Sequence, residues 1–201
     1  VTSSTGSVTV TASTGAVSAT GNISAATSIA ISPKTTYAGA GVLNAGTTLT
    51  ISGGTTVDPT GNLSSVGNMT ISGSQRVTLS SITAAVSGSG AMSISGGTLA
   101  NTNGAVEIIT SNVTSTTGAI TITGSASASW GFYIRSTSKI QSTSGAITIT
   151  GNAPSNVWGG YLAAADILSS SGAIVVDTKS SYGLVNGYTA VTDIGALSSG
   201  S

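Results

Sequence analysis

The chain of 201 residues contains no cysteine and no histidine, only three prolines and one phenylalanine, and just ten charged residues, five of each sign. Each shortage removes a class of function. Without Cys there is no disulfide framework and no thiolate metal site. With His missing as well, the common zinc sites and the Ser-His-Asp triad are excluded. Five scattered cations do not neutralise a nucleic-acid backbone, so nucleic acid is not an expected partner. No apolar run approaches the roughly 18 residues that a membrane-spanning helix needs. The first residues, VTSSTGSVTV, carry no basic region followed by an apolar stretch and begin inside a repeating pattern. The expectation is a mature piece of a longer chain.

What is present is Ser (37), Thr (33) and Gly (28), together with 39% hydrophobic residues. Disorder goes with low hydrophobicity and high charge. This composition has apolar surface to bury and little charge to keep it apart, so it predicts an ordered chain.

The heptapeptide GAITITG occurs at 118–124 and again at 145–151, and a looser GAIVVD starts at Gly172. The same short alternation runs along the chain as Val8-x-Val10, Ile29-x-Ile31, Leu49-x-Ile51, Met69-x-Ile71, Met92-x-Ile94, Ile120-x-Ile122, Ile147-x-Ile149 and Ile174-x-Val176. Successive copies lie 21, 20, 20, 23, 28, 27 and 27 residues apart. Period-two alternation of β-branched residues means strands with one buried face. A return interval of this length is too long for hairpins and fits one coil of a β-solenoid, each strand pairing in parallel with its copy one coil later.

The predicted fold is therefore all-β: a parallel β-helix of about eight coils of 20–28 residues, each with about three strands. At about 4.8 Å per coil the rod is roughly 40 Å long. One domain over 1–201 is expected, with narrow coils over 1–91 and wide coils over 92–201. In the wide coils the second strand is expected at Trp130–Arg135 and its match at Trp158–Ala163, and the third at Ile140, Ile167 and Ile194. The Gly before each strand is expected to form a corner that needs positive φ or a tight turn. Of eight aromatics only Tyr37 falls in the narrow coils; the others, Tyr188 among them, are expected to fill a wider core.

The grammar GAITITG…WGxY[IL]…[KD]I…SSG resembles the repeats of filamentous-haemagglutinin-type exoproteins of Gram-negative bacteria, most closely over 118–200. The resemblance implies a right-handed β-helix, export by a two-partner system, and a secreted or cell-surface fibre used in adhesion, aggregation or biofilm. It implies host or neighbouring-cell surfaces, glycans included, as partners. A chain free of Cys agrees with export in an unfolded state. An alternative is a filament or sheath subunit stacked end to end.

Several residue sets invite a sharper reading. The column Lys139, Asp166 and Asp193, each 27 apart, puts two carboxylates about one coil from each other, a spacing that suits a retaining glycosidase. Its plain alternative is a solvent-facing polar column, since Asn112 holds the same place one coil earlier. Trp130, Phe132 and Ile134 are expected on one face with Tyr133 opposite, and Trp158, Gly160 and Leu162 on one face with Tyr161 opposite. An exposed Tyr133–Tyr161 column, with Trp130 and Trp158 beside it, is the candidate for contact with a sugar or a partner; the plain alternative is stacking that stabilises the sheet. Outward Thr-x-Thr pairs at 9/11, 121/123 and 148/150 resemble an ice-binding ladder, but the other coils depart from it. Four N-x-[ST] sequons, at Asn22, Asn62, Asn68 and Asn112, are about the number chance gives in so Ser/Thr-rich a chain. Neither a calcium-binding nonapeptide nor a P-loop is present. The expectation is a chain that is not an enzyme and uses no cofactor and no metal.

Overall fold

The computed structural model describes residues 1–97, 104–154, 157–180, 182–186 and 193–196. Tyr188 lies outside them. Every regular element among the described residues is a strand.

The eight alternating motifs form the eight strands of one parallel sheet: Val8–Thr11, Ser28–Ser32, Thr48–Ser52, Met69–Gly73, Met92–Gly96, Ile120–Ser125, Ile147–Asn152 and Ile174–Lys179. The pairs are Val8 with Ile29, Ile29 with Leu49, Leu49 with Met69, Met69 with Met92, Met92 with Ile120, Ile120 with Ile147 and Ile147 with Ile174. Each pair is the one that the sequence spacing predicts. The chain is a parallel β-helix.

The remaining strands make a fifteen-stranded sheet, also parallel. It holds two rows. One runs through Val17–Ala19, Thr36–Gly39, Thr56–Pro59, Arg76–Ser80 and Gly104–Ile109; the other through Thr2–Ser3, Ile23–Ala25, Leu43–Ala45, Leu63–Ser65, Thr83–Val86 and Asn112–Ser115. Further along, the two rows merge, because Trp130–Ser142 and Gly160–Ser169 each run through both. Three separate strands per coil therefore hold only where the bend interrupts the ladder.

That bend is made by residues with positive φ that are not glycine: Ser81, Thr110, Ser136, Thr137 and Ala164. Two fall consecutively in Trp130–Ser142, and the register shifts there, between Arg135 and Ser138. This bulge absorbs one residue. Tyr133 and Tyr161, before it, are 28 apart, while Ile140 and Ile167, after it, are 27 apart, yet both are register pairs.

The core is a set of stacked like residues. Ile31, Ile51, Ile71, Ile94, Ile122 and Ile149 form one inward column; across from them stand Tyr37, Val57, Val77, Val106 and Phe132 in the first row, and Leu43, Leu63, Ala84, Val113, Ile140 and Ile167 in the second. Burying each large side chain contributes about 1.5–3 kcal/mol. The wide coils are filled mainly by Ile, Leu and Val; Phe132 is the single aromatic of those coils that is fully buried among the described residues. The expectation of aromatic filling is thus corrected. The extra residues lengthen strands and corners, so the gap between the sheets still suits aliphatic side chains. Gly160 lies in register with Phe132, whose ring occupies the space a side chain there would need.

The GAITITG glycines stand at the corner before each strand as expected, but without positive φ. Among the described glycines only Gly53, Gly54 and Gly183 have positive φ. Gly118, Gly145 and Gly172 stack directly, and a Cβ on Gly145 would be driven into the carbonyl oxygen of Gly118. Closeness of consecutive corners, not φ, demands glycine. Ser142 locks this corner: its Oγ accepts from the Gly145 N–H at 2.9 Å and donates to the Gly118 carbonyl at 3.1 Å. Ser169 repeats the pattern with Gly172 and Gly145 at 2.9 and 3.2 Å.

Gly145→Ala should lower stability by about 1–3 kcal/mol through this clash, whereas Gly21→Ala, where a Cβ meets nothing within 4 Å, should stay within about 0.5 kcal/mol of wild type; urea denaturation of both checks it. Tyr37 is 0% exposed, its hydroxyl has no hydrogen-bond partner, and burial pushes its pKa up to about 12. Between pH 10 and about 12 the unfolded tyrosine ionises while the folded one does not, so this residue's contribution is lost as pH rises through that window. Tyr37→Phe should flatten the alkaline fall in melting temperature and leave neutral stability equal or higher.

Candidate functional site

One outward column of the first row changes character along the rod. Ala38 pairs with Asp58, Thr78 with Glu107, Glu107 with Tyr133, Tyr133 with Tyr161, and Tyr161 with Val185. The pairs Arg76–Thr56 and Val77–Val57 bring Asp58 one coil from Thr78. Arg76 precedes Thr78 by two residues and Arg135 follows Tyr133 by two, so alternation puts both on the same outward side. Four of the ten charged residues thus collect on one patch beside the tyrosines.

Glu107 is 6% exposed and accepts a hydrogen bond from the Gly104 N–H at 3.3 Å. Desolvation raises its pKa; the Gly104 N–H and the charges of Arg76 and Arg135 pull the other way, and Asp58 adds a further upward push. Asp58 is raised by burial too, with Arg76 opposing. The Arg135 guanidinium lies 5.2 Å from the Tyr133 ring centre, a cation–π distance, and its Nη1 donates to Ser136 Oγ at 3.1 Å.

Tyr133 and Tyr161 face outward in register, as the alternation predicts, with ring centres 4.9 Å apart. Trp130 joins them, 4.7 Å from Tyr133 and 4.8 Å from Tyr161, the latter nearly parallel at 7°. Its expected place beside Phe132 and Ile134 is therefore wrong. Gly131 is packed among the backbones of Gly124, Gly151 and Gly159, so Gly131 and Phe132 are both buried, and inward–outward alternation starts only at Phe132. Tyr133, with Trp130, Tyr161 and Arg135 around its ring, is built into the sheet's own packing.

Trp158 also leaves its predicted face. It precedes the strand that begins at Gly160, is 39% exposed, and tilts at 40° against Tyr182, itself 51% exposed, at 5.3 Å. The four predicted aromatics thus divide. Trp130, Tyr133 and Tyr161 form one stack; Trp158 forms a separate, open pair with Tyr182.

Lys139, Asp166 and Asp193 are in register as predicted, with Asn112 one coil before Lys139. Lys139 is half-buried and Asp166 exposed on the outer face. The outward hydroxyls of the eight-stranded sheet align as Thr9, Ala30, Thr50, Thr70, Ser93, Thr121, Thr148 and Val175. The alanine and valine break the hydroxyl rank. Three sequon asparagines have structural duties: Asn22, Asn62 and Asn68 accept through Oδ1 from the backbone N–H of Val42, Thr83 and Ala91 in the next coil at 2.9, 2.8 and 2.9 Å.

Sequence reading missed the charged patch because Asp58, Arg76, Glu107 and Arg135 share no common interval. The available signal was local: each stands one residue from an inward apolar residue, Val57, Val77, Val106 and Ile134 in turn.

Comparison of the chain with protein-family models, with curated proteins and with solved structures finds no match.

Because burial keeps Glu107 in favour of its protonated form, its contribution to stability falls as pH rises through the carboxylate range. Glu107→Gln should therefore raise the melting temperature at pH 7, and the gain should vanish in acid, below the ordinary glutamate pKa; calorimetry across pH checks both ends.

Proposed function

We propose that this chain is a structural segment of a secreted or cell-surface fibre of a Gram-negative bacterium, serving adhesion, aggregation or biofilm as a rigid stalk. The observation that carries the reading is the unbroken coil-to-coil register of the eight-stranded sheet. Its inter-strand hydrogen bonds point along the rod axis, and its core is continuous through all the coils between. Such a stack holds its length with little charge. The resemblance of its repeats to filamentous-haemagglutinin-type exoproteins supports the same reading, and absence of Cys suits passage across a membrane unfolded.

Contact with a partner surface falls to Trp158 and Tyr182, whose rings are open, rather than to Tyr133 and Tyr161, whose rings are engaged with each other.

Immunogold labelling of intact source cells tests the location: label on unpermeabilised cells is expected, and label seen only after permeabilisation would sink the reading. In an adhesion assay with purified protein, Trp158→Ala/Tyr182→Ala should weaken cell binding with only a small fall in melting temperature, since it removes one open ring pair. Tyr133→Ala/Tyr161→Ala should lower the melting temperature more, since it dismantles a three-ring stack worth about 0.5–1.5 kcal/mol per ring pair beyond area burial.

A further inference from the structure

The chain has no cysteine, so no disulfide ties one coil to the next. A different pair of side chains stands where such a bond would run. Tyr133 and Tyr161 are register partners on Trp130–Ser142 and Gly160–Ser169, and both are half-buried on the outer face. Their ring centres lie 4.9 Å apart at an interplanar angle of 28°. Ladder pairing holds the rings at that distance, since the rise of one coil is about 4.8 Å. Of the five tyrosines, these two alone stack on each other among the described residues. Tyr37 is fully buried in a narrow coil, and Tyr182 faces Trp158.

Two phenols held in this way are placed for oxidative coupling. A phenol that loses an electron from its ring and the proton from its hydroxyl becomes a phenoxyl radical. Its unpaired spin is shared by the ring carbons ortho to the oxygen. A second such radical at contact distance couples with it in preference to a partner reached by diffusion. Trp130 enlarges the target, because it stacks 4.7 Å from Tyr133 and 4.8 Å from Tyr161. Tyrosine is the easier of the two to oxidise when its proton leaves with the electron, so a hole arriving on the indole passes to a phenol.

We infer that Tyr133 and Tyr161 form an intramolecular dityrosine cross-link when hydrogen peroxide and a peroxidase oxidise the chain. Each phenol gives up one electron and one proton, and one ortho carbon of each ring then joins the other in a carbon–carbon bond. The hydrogen on each bonded carbon moves as a proton to its own ring's oxygen, so aromaticity returns and both hydroxyls survive. The protein loses two hydrogens in all. Peroxide takes the two electrons and two protons, its O–O bond breaks, and it leaves as two waters. The new bond joins residues 28 apart, one full coil, and restrains the unfolded chain as a disulfide does. It makes no demand on where the chain resides, so it stands or falls apart from the fibre reading.

The test treats the purified chain with peroxidase and hydrogen peroxide. Blue dityrosine fluorescence should appear, with a mass lower by two hydrogens and a linked peptide pair that carries Tyr133 and Tyr161. The yield should not change when the protein is diluted, and the urea midpoint of the linked chain should rise. Tyr133→Phe and Tyr161→Phe keep the ring stack and the fold, yet each should abolish the linked peptide, whereas Tyr182→Phe should leave it intact. Absence of any link, a link found only between chains, a linked pair containing Trp130 or Tyr182 in place of these tyrosines, or a link that persists in both Tyr133→Phe and Tyr161→Phe would overturn the inference.

Discussion

The structure depends on the rise of one coil, about 4.8 Å, which hydrogen bonding between parallel strands sets. Nothing larger than a strand separates a residue from its copy above and below, so each position is chosen against a near-duplicate of itself. Isoleucine stacks on isoleucine, serine hydroxyls reach the carbonyl of the coil before, and glycine meets glycine at corners where backbones pass too closely for a Cβ. The recurrence of GAITITG is this constraint written in sequence. A charged residue in such a stack must pair with a different charge, face solvent, or be desolvated as Glu107 is.

That same constraint explains what sequence reading recovers. The strand register of the eight-stranded sheet follows from residue spacing alone, because the inward positions carry a strong period-two signal and recur at nearly constant intervals. Lys139 and Asp166, and Tyr133 and Tyr161, meet across coils for the same reason. The fold was legible wherever periodicity was the cause.

Side-chain direction at the ends of strands was not legible. Trp130 and Trp158 sit where alternation has not yet begun, beside glycines whose backbone contacts re-aim the chain, and no local pattern states where a strand starts. The αL bend was hidden too, since it uses Ser, Thr and Ala in place of the usual glycine. The charged patch arises from neighbours on coils of unequal length. Unequal spacing is the very feature that a search for repeats discounts, and here the charged and aromatic side chains gather where the repeat falters: Glu107 and the aromatic stack lie on or beside the coils that follow the change in size.

The bulge at Ser136 and Thr137 carries a further lesson about how such a chain changes over time. One coil holds a residue more than its neighbour between the same two ladder positions, yet pairing resumes at Ser138 without error. The corner works as a mechanical slack-taker: an added codon is absorbed within a single bend and is invisible to the strands on either side. A lineage of such rods can therefore accumulate small insertions at its corners, trying new surface shapes one coil at a time, while inheritance of the interior stays intact.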